Sequence, residues 1–277
     1  MKKLIIVTVI IMLASCATVK RTTAPVEDRS APSVTNIPTT ELQDDQDHLI
    51  LATLWFQKSA EMRALFYQCF RNAEIALKEN LELSDSTRGA AVVLDIDETL
   101  LDNSPYQGWQ VLQKKAFNND DWFRWVELAR ARPLPGAVEF TRYADSLGVE
   151  VFYVSNRTVK EMGPTTKNMA EWGFADADST HMLLKETISS KVERRAQIEK
   201  NYDILLLVGD NLADLSGIYE KRGTDYGFAA VDADRRLFGT KYIVLPNPMY
   251  GNWLNDLLRT VPGTSEREKL IKLLETF

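Results

Sequence analysis

The chain has 277 residues, of which 45% are apolar and 26% are charged, a composition that is ordinary for a globular protein. This length is enough for one large domain or for one domain with a small insert. The formal net charge of −6 argues against a nucleic acid polymer or an anionic membrane surface as the main partner.

The first segment of the chain has the pattern of a secretory signal. A basic start precedes an apolar run over residues 4–13, which is too short to span a bilayer as a helix. The letters LASC close the run at Cys16 and resemble a bacterial lipobox, although an ordinary signal with a chance Cys has the same shape. The resemblance implies that residues 1–15 are cleaved and that Cys16 is lipidated. It also implies the outer membrane as the destination, because Ala17 rather than Asp follows the Cys.

Residues 16–44 are expected to form a flexible tether between the lipid and the folded domain. They are rich in Thr, Ser and Pro and contain few large apolar side chains, so they cannot bury enough surface to offset the entropy lost on ordering. The folded domain is expected to span residues 45–277. If Cys16 is acylated, Cys69 is the only other thiol in the chain, and the domain must be held together by its core without an intrachain disulfide.

After the tether, the spacing of apolar residues predicts one long helix over residues 49–81, and short apolar runs then alternate with helical patterns. The predicted strands are 90–94, 149–154, 182–184, 204–208 and 242–245. The predicted helices between them include 136–146, 160–172, 191–200 and 212–221. This alternation predicts an α/β fold with a Rossmann-like, mostly parallel sheet and helices on both faces. A small cap insert at about 104–135 and extra N- and C-terminal helices complete the predicted domain.

Acidic side chains follow two of the predicted strands. Asp95 and Asp97 come directly after the first strand, and Asp210 and Asp214 follow the fourth. Ligands of such sheets bind beyond the carboxyl ends of the strands. If these strands are neighbours, the four carboxylates converge on one site at the carboxyl edge of the sheet. Their mutual repulsion is costly there unless a cation or a shared proton compensates for it.

Other polar groups are expected to face the same site. Ser155 and Asn156 directly follow the second predicted strand, and Lys191 opens a predicted helix behind a hydroxyl N-cap. Carboxylate oxygens with room for water suit an octahedral hard cation, of which Mg²⁺ is the best fit. The two histidines, His48 and His181, are far apart in the sequence, which disfavours zinc. A hydroxyl group, a lysine and a helix N-terminus suit a phosphoryl group.

Taken together, the motifs DIDETLLD, VSNR, a lysine and GDNLAD resemble the signature of the haloacid dehalogenase (HAD) superfamily. The closer resemblance is to the bacterial class C acid phosphatases, which are lipoprotein nonspecific phosphohydrolases. It also rests on RPLPGAVEF and on the lipobox, and it extends from about Leu49 to the C-terminus. The sequence departs from the expected Asp-Asp-Phe at Ala213 and Leu215, but neither of these side chains is catalytic.

The resemblance implies a role for each acidic residue. Asp95 is expected to be the nucleophile that forms an aspartyl-phosphate, and Asp97 the general acid and then the general base. Mg²⁺ is expected to bind the carboxylates of Asp95 and Asp210 and the backbone carbonyl of Asp97. Asp214 is expected to orient a metal-bound water or to hold Lys191. Related ATPases usually carry Thr at the position of Asp97, because their phosphorylated intermediate should persist. An acid at that position favours a hydrolase that completes the hydrolysis of its intermediate.

The resemblance also implies a set of phosphate-binding groups. Ser155 and the Asn156 amide are expected to hold phosphate oxygens, and Lys191 to screen the repulsion between nucleophile and phosphate. Lys185 competes for the lysine role because it directly follows a strand. Lys191 is preferred, because it opens a helix and because its spacing matches the family better. Arg157 is interpreted as structural, with a surface ion pair as the default.

Substrate choice is expected to depend on the cap insert. Trp122 and Trp125 lie there on one predicted helical face, and the simplest interpretation is a small apolar core beneath the cap. The resemblance to class C enzymes implies in addition that Trp122 and Tyr250 form an aromatic clamp around a flat leaving group. Weaker candidates for the same role are Asn247, Tyr106 and Trp253.

These features predict an extracytoplasmic, lipid-anchored, Mg²⁺-dependent acid phosphatase that hydrolyses small phosphomonoesters, including 5′-nucleotides. The family resemblance implies a homodimer whose membrane contact is the lipid anchor alone. The alternatives are a phosphotransferase of the same fold, a phosphatase for one specific metabolite, and a binding lipoprotein that captures nucleotide or haem without catalysis. A binding protein is expected to have lost the nucleophile or the acid, and the presence of both Asp95 and Asp97 therefore favours an enzyme.

Overall fold

The computed structural model describes residues 46–84 and 87–277. The predicted signal segment, the tether and Cys16 lie outside the described residues, and the lipid anchor therefore stays a prediction. Within the two described ranges, no helix is both long enough and apolar enough to cross a membrane.

The N-terminal helical region divides at Ser59. Helix α1 spans Ile50–Lys58 and helix α2 spans Ala60–Leu83. Ser59 itself is extended, with φ −82° and ψ 138°, and its hydroxyl accepts a hydrogen bond from the backbone N–H of Met62 at 3.0 Å. Serine is a preferred N-cap residue, so a second helix starts here. The prediction of one continuous helix over residues 49–81 is wrong for this reason.

The strands of the described residues are β1 (Gly89–Leu94), β2 (Leu101–Asp102), β3 (Arg132–Pro133), β4 (Glu150–Thr158), β5 (Met182–Lys185), β6 (Tyr202–Gly209) and β7 (Tyr242–Val244). Five of them form a parallel sheet in the order β5-β4-β1-β6-β7, which confirms the five predicted strands and the predicted sheet type. Strands β2 and β3 form a separate antiparallel pair. That pair was not predicted, because two residues are too few to show an alternating pattern.

Strand β1 lies at the centre of the sheet and separates two apolar cores. Val93 is in register with Phe152 on β4 and with Leu207 on β6. Val92 and Leu94 pack in the core that includes α2, whereas Val93 packs in the core on the opposite face. Successive side chains of a strand point to opposite faces, so a strand that is covered on both sides reads as a continuous apolar run.

The remaining α-helices of the described residues are α3 (Ser104–Gln113), α4 (Asn119–Glu127), α5 (Ala137–Ser146), α6 (Met162–Trp172), α7 (Val192–Ile198), α8 (Leu212–Leu215), α9 (Phe228–Ala233), α10 (Asn252–Thr260) and α11 (Glu266–Lys272). The predicted cap insert contains α3 and α4. The helix predicted over residues 212–221 is interrupted at Ser216, which is extended, with φ −153° and ψ 147°. The hydroxyl of Ser216 starts a 3-10 turn, Gly217–Glu220, by accepting from the N–H of Ile218.

Candidate active site

The residues that follow β1 form a tight turn at the carboxyl edge of the sheet. The turn is closed by a hydrogen bond from the N–H of Leu100 to the carbonyl oxygen of Ile96 at 2.9 Å. Glu98 lies within it at φ 56°, a backbone region that residues other than glycine rarely adopt. On either side of Ile96, Asp95 and Asp97 both present their side chains to one cavity.

This cavity has a volume of about 520 Å³ and brings together most of the predicted site residues. Those that line it are Asp95, Asp97, Trp122, Asn156, Lys191, Asp210, Asp214 and Tyr250. The cavity also reaches the N-terminal 3-10 turn, Gln46–Leu49, and helix α10. Its volume exceeds that needed for a phosphate group, so there is room for a leaving group of substantial size.

Lys191 lies between Asp95 and Asp214. Its Nζ contacts Asp95 Oδ1 and lies 2.7 Å from Asp214 Oδ1. Burial by itself would lower the pKa of Lys191, but the charges of Asp214 and Asp95 raise it above its ordinary value, so the ammonium stays charged. Gly209 makes the arrangement possible, because a Cβ at that position would lie 2.5 Å from Cβ and Oδ2 of Asp214.

Three of the carboxylates form a cluster of a kind that suits a hard cation. Asp95, Asp210 and Asp214 each offer one oxygen, and these oxygens all lie within 4.8 Å of one another. Burial raises the pKa of Asp95 to about 7, against the opposing charge of Lys191 and with a further increase from Asp214 and Asp97. The pKa of Asp210 is raised well above its ordinary value by burial and by its acidic neighbours. An all-oxygen donor set with excess negative charge fits a divalent ion such as Mg²⁺.

Asp210 is held in place by two polar side chains. Asn247 Nδ2 donates to Asp210 Oδ2 at 2.7 Å, and Thr99 Oγ1 accepts from the Asp210 N–H at 3.0 Å. The same Thr99 hydroxyl lies 3.4 Å from Asp95 Oδ2, so it links the ends of β1 and β6. Asn247, a weaker candidate for the leaving-group clamp, therefore contacts a carboxylate of the cluster.

Asp97 is bound by Arg157. Arg157 is 3% exposed, and its Nη2 and Nε lie 2.8 and 3.0 Å from Asp97 Oδ1. The interpretation of Arg157 as the member of a surface ion pair is wrong, because the guanidinium is buried and its partner is the candidate acid. The sequence offered one signal for this role, since Arg157 directly follows Ser155 and Asn156 at the end of a strand.

The two predicted phosphate-binding residues of β4 lie beside these groups. Ser155 is fully buried, and its Oγ accepts from the Arg157 N–H at 3.1 Å and lies 3.5 Å from Asp97 Oδ2. The Asn156 side chain accepts a hydrogen bond from Arg194 Nη2 at 2.7 Å. Arg194 belongs to α7, so this helix fixes the direction of the Asn156 amide.

The two competing lysines differ in their surroundings. Lys185 ends β5 and lies, half-buried, on the wall of the cavity. Lys191 is 4% exposed and is in contact with two carboxylates of the cluster. This difference agrees with the preference for Lys191. Lys191 is also the N-cap of α7, and its side chain makes no capping hydrogen bond. The Ser190 hydroxyl before it accepts from the N–H of Val192 at 3.3 Å.

Trp122 lies on α4 and packs beneath the cap as well as lining the cavity. Its ring meets that of Tyr106 edge to face, with 5.2 Å between centroids. It also lies 5.7 Å from the guanidinium carbon of Arg157, within the range of a cation–π contact. Tyr106, a weaker clamp candidate, is 2% exposed and belongs to the packing under the cap.

Tyr250 connects the C-terminal region to the tight turn that follows β1. Its hydroxyl contacts Glu98 Oε2, and Glu98 is fully buried. Burial raises the pKa of Glu98 well above its ordinary value, and the charges of Asp97 and Asp210 raise it further. Trp253, the third weaker candidate, donates its indole N–H to the carbonyl oxygen of Tyr250 at 3.2 Å and so braces the backbone there.

Comparison with protein families gives one match that covers most of the chain. The sequence model of the family described as HAD superfamily, subfamily IIIB (Acid phosphatase), matches residues 4–253. Among curated proteins, acid phosphatase 1 of Solanum lycopersicum is 29% identical over 148 residues, which are 50% of this chain and 56% of that protein. A stem 31 kDa glycoprotein of Glycine max is 27% identical over 57% of this chain and 58% of its own length. The chain thus spans little more than half of these two relatives.

Solved structures give a match over nearly the whole of the related chain. The class C acid phosphatase from Bacillus anthracis is 36% identical, with a TM-score of 0.78, and the match covers 84% of this chain and 98% of that one. A crystal structure of the class C acid phosphatase from the same organism with tungstate bound matches with a TM-score of 0.77 at 34% identity and the same coverage.

Proposed function

The chain belongs to the acid phosphatases of HAD subfamily IIIB, and on this premise we propose that it is a Mg²⁺-dependent hydrolase of phosphomonoesters, including 5′-nucleotides, that acts through an aspartyl-phosphate. The observation that carries the proposal is the pair of acids after β1. Asp95 is buried against the Lys191 ammonium, and Asp97, one residue further, is fixed by Arg157. These surroundings support the proposal that Asp95 is the nucleophile and that Asp97 carries the proton.

In the first step, a carboxylate oxygen of Asp95 attacks phosphorus and forms the new P–O bond. The bond between phosphorus and the leaving oxygen breaks, its electron pair goes to that oxygen, and Asp97 supplies the proton. Lys191 offsets the repulsion between the Asp95 carboxylate and the phosphate dianion. The Ser155 hydroxyl and the Asn156 amide bind the remaining phosphate oxygens.

In the second step, Asp97 works in the opposite sense. It removes a proton from a water molecule, whose oxygen attacks the phosphorus of the aspartyl-phosphate. The bond from Asp95 to phosphorus breaks, which releases inorganic phosphate and restores the carboxylate. The net reaction consumes one water molecule and leaves Asp97 protonated, ready for the next ester.

Mg²⁺ would be held by the carboxylates of Asp95 and Asp210 and by the backbone carbonyl of Asp97, with Asp214 orienting a bound water or Lys191. When bound, it supplies positive charge that neutralises the phosphate and the acidic cluster. Burial, and after it the charges of neighbouring acids, raise the pKa of Asp95 and Asp210, and this supports the assignment of a cation to the cluster. The relative with bound tungstate supports a phosphate-binding site, since tungstate is a tetrahedral oxyanion like phosphate.

Nucleotides are proposed as substrates because two rings border the cavity beyond the carboxylates. Trp122 comes from the cap and Tyr250 from the C-terminal region, and both line the same space. An indole and a phenol ring can hold a flat leaving group between them by stacking.

We also propose that the enzyme is a homodimer attached to the bacterial outer membrane by a lipid on Cys16. The LASC sequence at the end of the apolar run supports the anchor. Replacing Cys16 by Ser is expected to release active enzyme from salt-washed membranes. A Ser variant that still sediments with membranes would refute the anchor, and sedimentation velocity of the soluble form measures its oligomeric state.

One screen tests the catalytic proposal. Phosphate release is measured from 5′-nucleotides, sugar phosphates and aryl phosphates, with and without EDTA, followed by addition of Mg²⁺ or Zn²⁺. The proposal expects hydrolysis that EDTA abolishes and Mg²⁺ restores. Activity that is unchanged in excess EDTA would refute the metal assignment, and nucleotide binding without phosphate release would indicate a binding protein. A phosphotransferase would instead move phosphate onto added glycerol in preference to water.

A further inference from the structure

We propose that Arg157 and Asn103, which bind Oδ1 of Asp97, and Trp125, which orients Asn103, are positioning residues. Together they reserve Oδ2 of Asp97 for the proton that is given to the leaving group. This inference rests on the proposed function, in which Asp97 is the general acid. It assigns to the cap helix α4 a part in the chemistry that is separate from any contact with substrate.

The two oxygens of Asp97 have different surroundings. Oδ1 accepts from Arg157 Nη2 at 2.8 Å, from Arg157 Nε at 3.0 Å and from Asn103 Nδ2 at 2.8 Å. Among the described residues, the contacts of Oδ2 are longer, to Arg157 Nε at 3.3 Å and to Ser155 Oγ at 3.5 Å. The nitrogen donors at Oδ1 cannot accept a proton. A proton carried by Asp97 therefore resides on Oδ2.

Asn103 is committed to Asp97 although its position in the chain offers another role. It is the N-cap residue of α3, where an asparagine side chain usually accepts from the first free backbone N–H groups. Its side chain makes no such bond, and the Ser104 N–H is satisfied at 2.9 Å by Oδ1 of Asp102 instead. Asn103 is fully buried, so its amide must find partners among neighbouring side chains.

Trp125 determines which way the Asn103 amide faces. The indole Nε1 lies 2.8 Å from Asn103 Oδ1. An indole N–H can only donate, so the amide oxygen must face the ring and the amide NH₂ must face Asp97. In the flipped orientation, the Asn103 oxygen would face a carboxylate oxygen and the indole would face an NH₂ group. Trp125 thereby sets the direction of the hydrogen bond to Asp97.

Arg157 is itself held on several sides. Its Nη1 donates to Thr165 Oγ1 on α6 at 3.0 Å, and the ring of Trp122 lies over the guanidinium at 5.7 Å. With 3% exposure, the side chain has little freedom to adopt another rotamer. Helix α4 thus acts on Asp97 by two routes, through Trp122 and Arg157 and through Trp125 and Asn103.

The consequence is a dependence on the leaving group. As the bond from phosphorus to the leaving oxygen breaks, the proton on Oδ2 moves to that oxygen. A nitrophenolate departs readily without this proton, whereas an alkoxide depends on it. The ratio kcat/KM covers the steps up to this departure, before Asp97 acts as a base. Loss of positioning should therefore lower kcat/KM selectively for alkyl phosphates.

The decisive variant is Trp125→Phe, which keeps a ring on α4 and removes the indole N–H. Trp125 is not one of the described residues that line the cavity, so a change in stacking on substrate does not explain its effect. A fall in kcat/KM of about tenfold is expected for glycerol phosphate, with less than about a twofold fall for para-nitrophenyl phosphate. Trp172→Phe is the matched control, because it also loses an indole hydrogen bond, to the Ala131 carbonyl at 2.9 Å, and neither Trp172 nor Ala131 is among the described residues that line the cavity.

A second variant, Arg157→Lys, keeps the positive charge and removes the paired hydrogen bonds from Nη2 and Nε to Asp97 Oδ1. The same selective loss of kcat/KM for glycerol phosphate is expected. Equal losses on both substrates in the two variants, or no loss in either, would overturn the inference. A wild-type protein that hydrolyses neither substrate would instead refute the proposed function. Melting temperatures of all variants show whether the fold has been kept, and the substrate ratio within each folded variant remains informative whatever its stability.

Discussion

The ammonium nitrogen of Lys191 lies 2.7 Å from Asp214 Oδ1 and also contacts Asp95 Oδ1. One buried ammonium group therefore offsets the negative charge of two acids, and one of them, Asp95, is the candidate nucleophile. Removing it leaves the buried carboxylates facing one another without compensation, and breaking one partner of a buried pair is far more costly than losing a surface pair.

For this reason, Lys191→Met is expected to lower kcat/KM on every phosphomonoester by at least about a hundredfold, comparable to the loss of one donor to a transition-state oxyanion. Lys185→Met is the matched comparison, because Lys185, at the end of β5, lines the same cavity as Lys191. Its expected loss is less than about fivefold. A larger loss for Lys185→Met than for Lys191→Met would exchange the roles of the two lysines.

The covalent mechanism is tested by changing Asp95 and Asp97 separately. Asp95→Asn is expected to be inactive, since the amide replaces the nucleophile. Asp97→Asn should slow both steps by about a hundredfold or more, the usual contribution of an acid–base group. Intact-protein mass spectrometry after rapid acid quench should then detect a phosphorylated species in Asp97→Asn and none in Asp95→Asn. Normal turnover by a folded Asp95→Asn variant would refute the aspartyl-phosphate.

The role of Tyr250 can be divided between its ring and its hydroxyl. Tyr250→Leu removes the ring, and we expect kcat/KM for nucleoside monophosphates to fall by about 1–3 kcal/mol, roughly five- to a hundredfold, with little change for a small sugar phosphate. Tyr250→Phe keeps the ring and removes only the contact with Glu98. It should retain the nucleotide preference. If both variants lose all substrates alike, Tyr250 is a packing residue and not part of a clamp.

The dependence of stability on pH is expected to have a contribution from His181. Its Nε2 lies 2.7 Å from Glu150 Oε2, and its Nδ1 lies 3.0 Å from Asp178 Oδ1. Burial alone would lower the pKa of His181, but the hydrogen bonds of Asp178 and Glu150 and the charge of Asp176 raise it above its ordinary value.

A group whose pKa is higher in the folded chain stabilises the fold below its unfolded pKa, and this stability is lost as the pH rises through the folded pKa. His181→Gln should therefore lower the melting temperature more at about pH 5.5 than at about pH 8.5. Since His181 lies outside the active-site cavity among the described residues, kcat should not change. Equal destabilisation at the two pH values would show that packing against Phe152 is the dominant effect.

The parts of the fold that the sequence predicted are those with a local signal. Strand β1 reads as an apolar run, and the acids at its end identify the edge of the sheet where the cavity lies. The break at Ser59 has a local signal too, but the helical spacing of apolar residues continues on both sides of it and hides it. Periodicity detects elements and detects their boundaries much less well.

The network around Asp97 had little local signal, apart from the position of Arg157 directly after Ser155 and Asn156. Arg157 is 60 positions away from its partner Asp97, and the two members of the Trp125–Asn103 pair are 22 positions apart. An arginine or an asparagine in isolation has a surface role by default, since most such side chains are exposed. Arg157 and Asn103 reach one oxygen of Asp97 because β1, β4 and the cap insert meet in three dimensions.

The contact between Tyr250 and Glu98 also bears on how the protein is made. The two residues are 152 positions apart, so the turn after β1 leaves the ribosome long before the hydroxyl that will contact Glu98. Until then, Oε2 of Glu98 lacks the Tyr250 hydroxyl, whereas the partner of Oε1 in the folded chain, the Asn103 N–H at 2.9 Å, is five residues away. Such sequence-distant closures form late, because the intervening chain must first be ordered. The contacts of the turn after β1 are therefore complete only after the chain as far as Tyr250 has been synthesised and has folded back onto it.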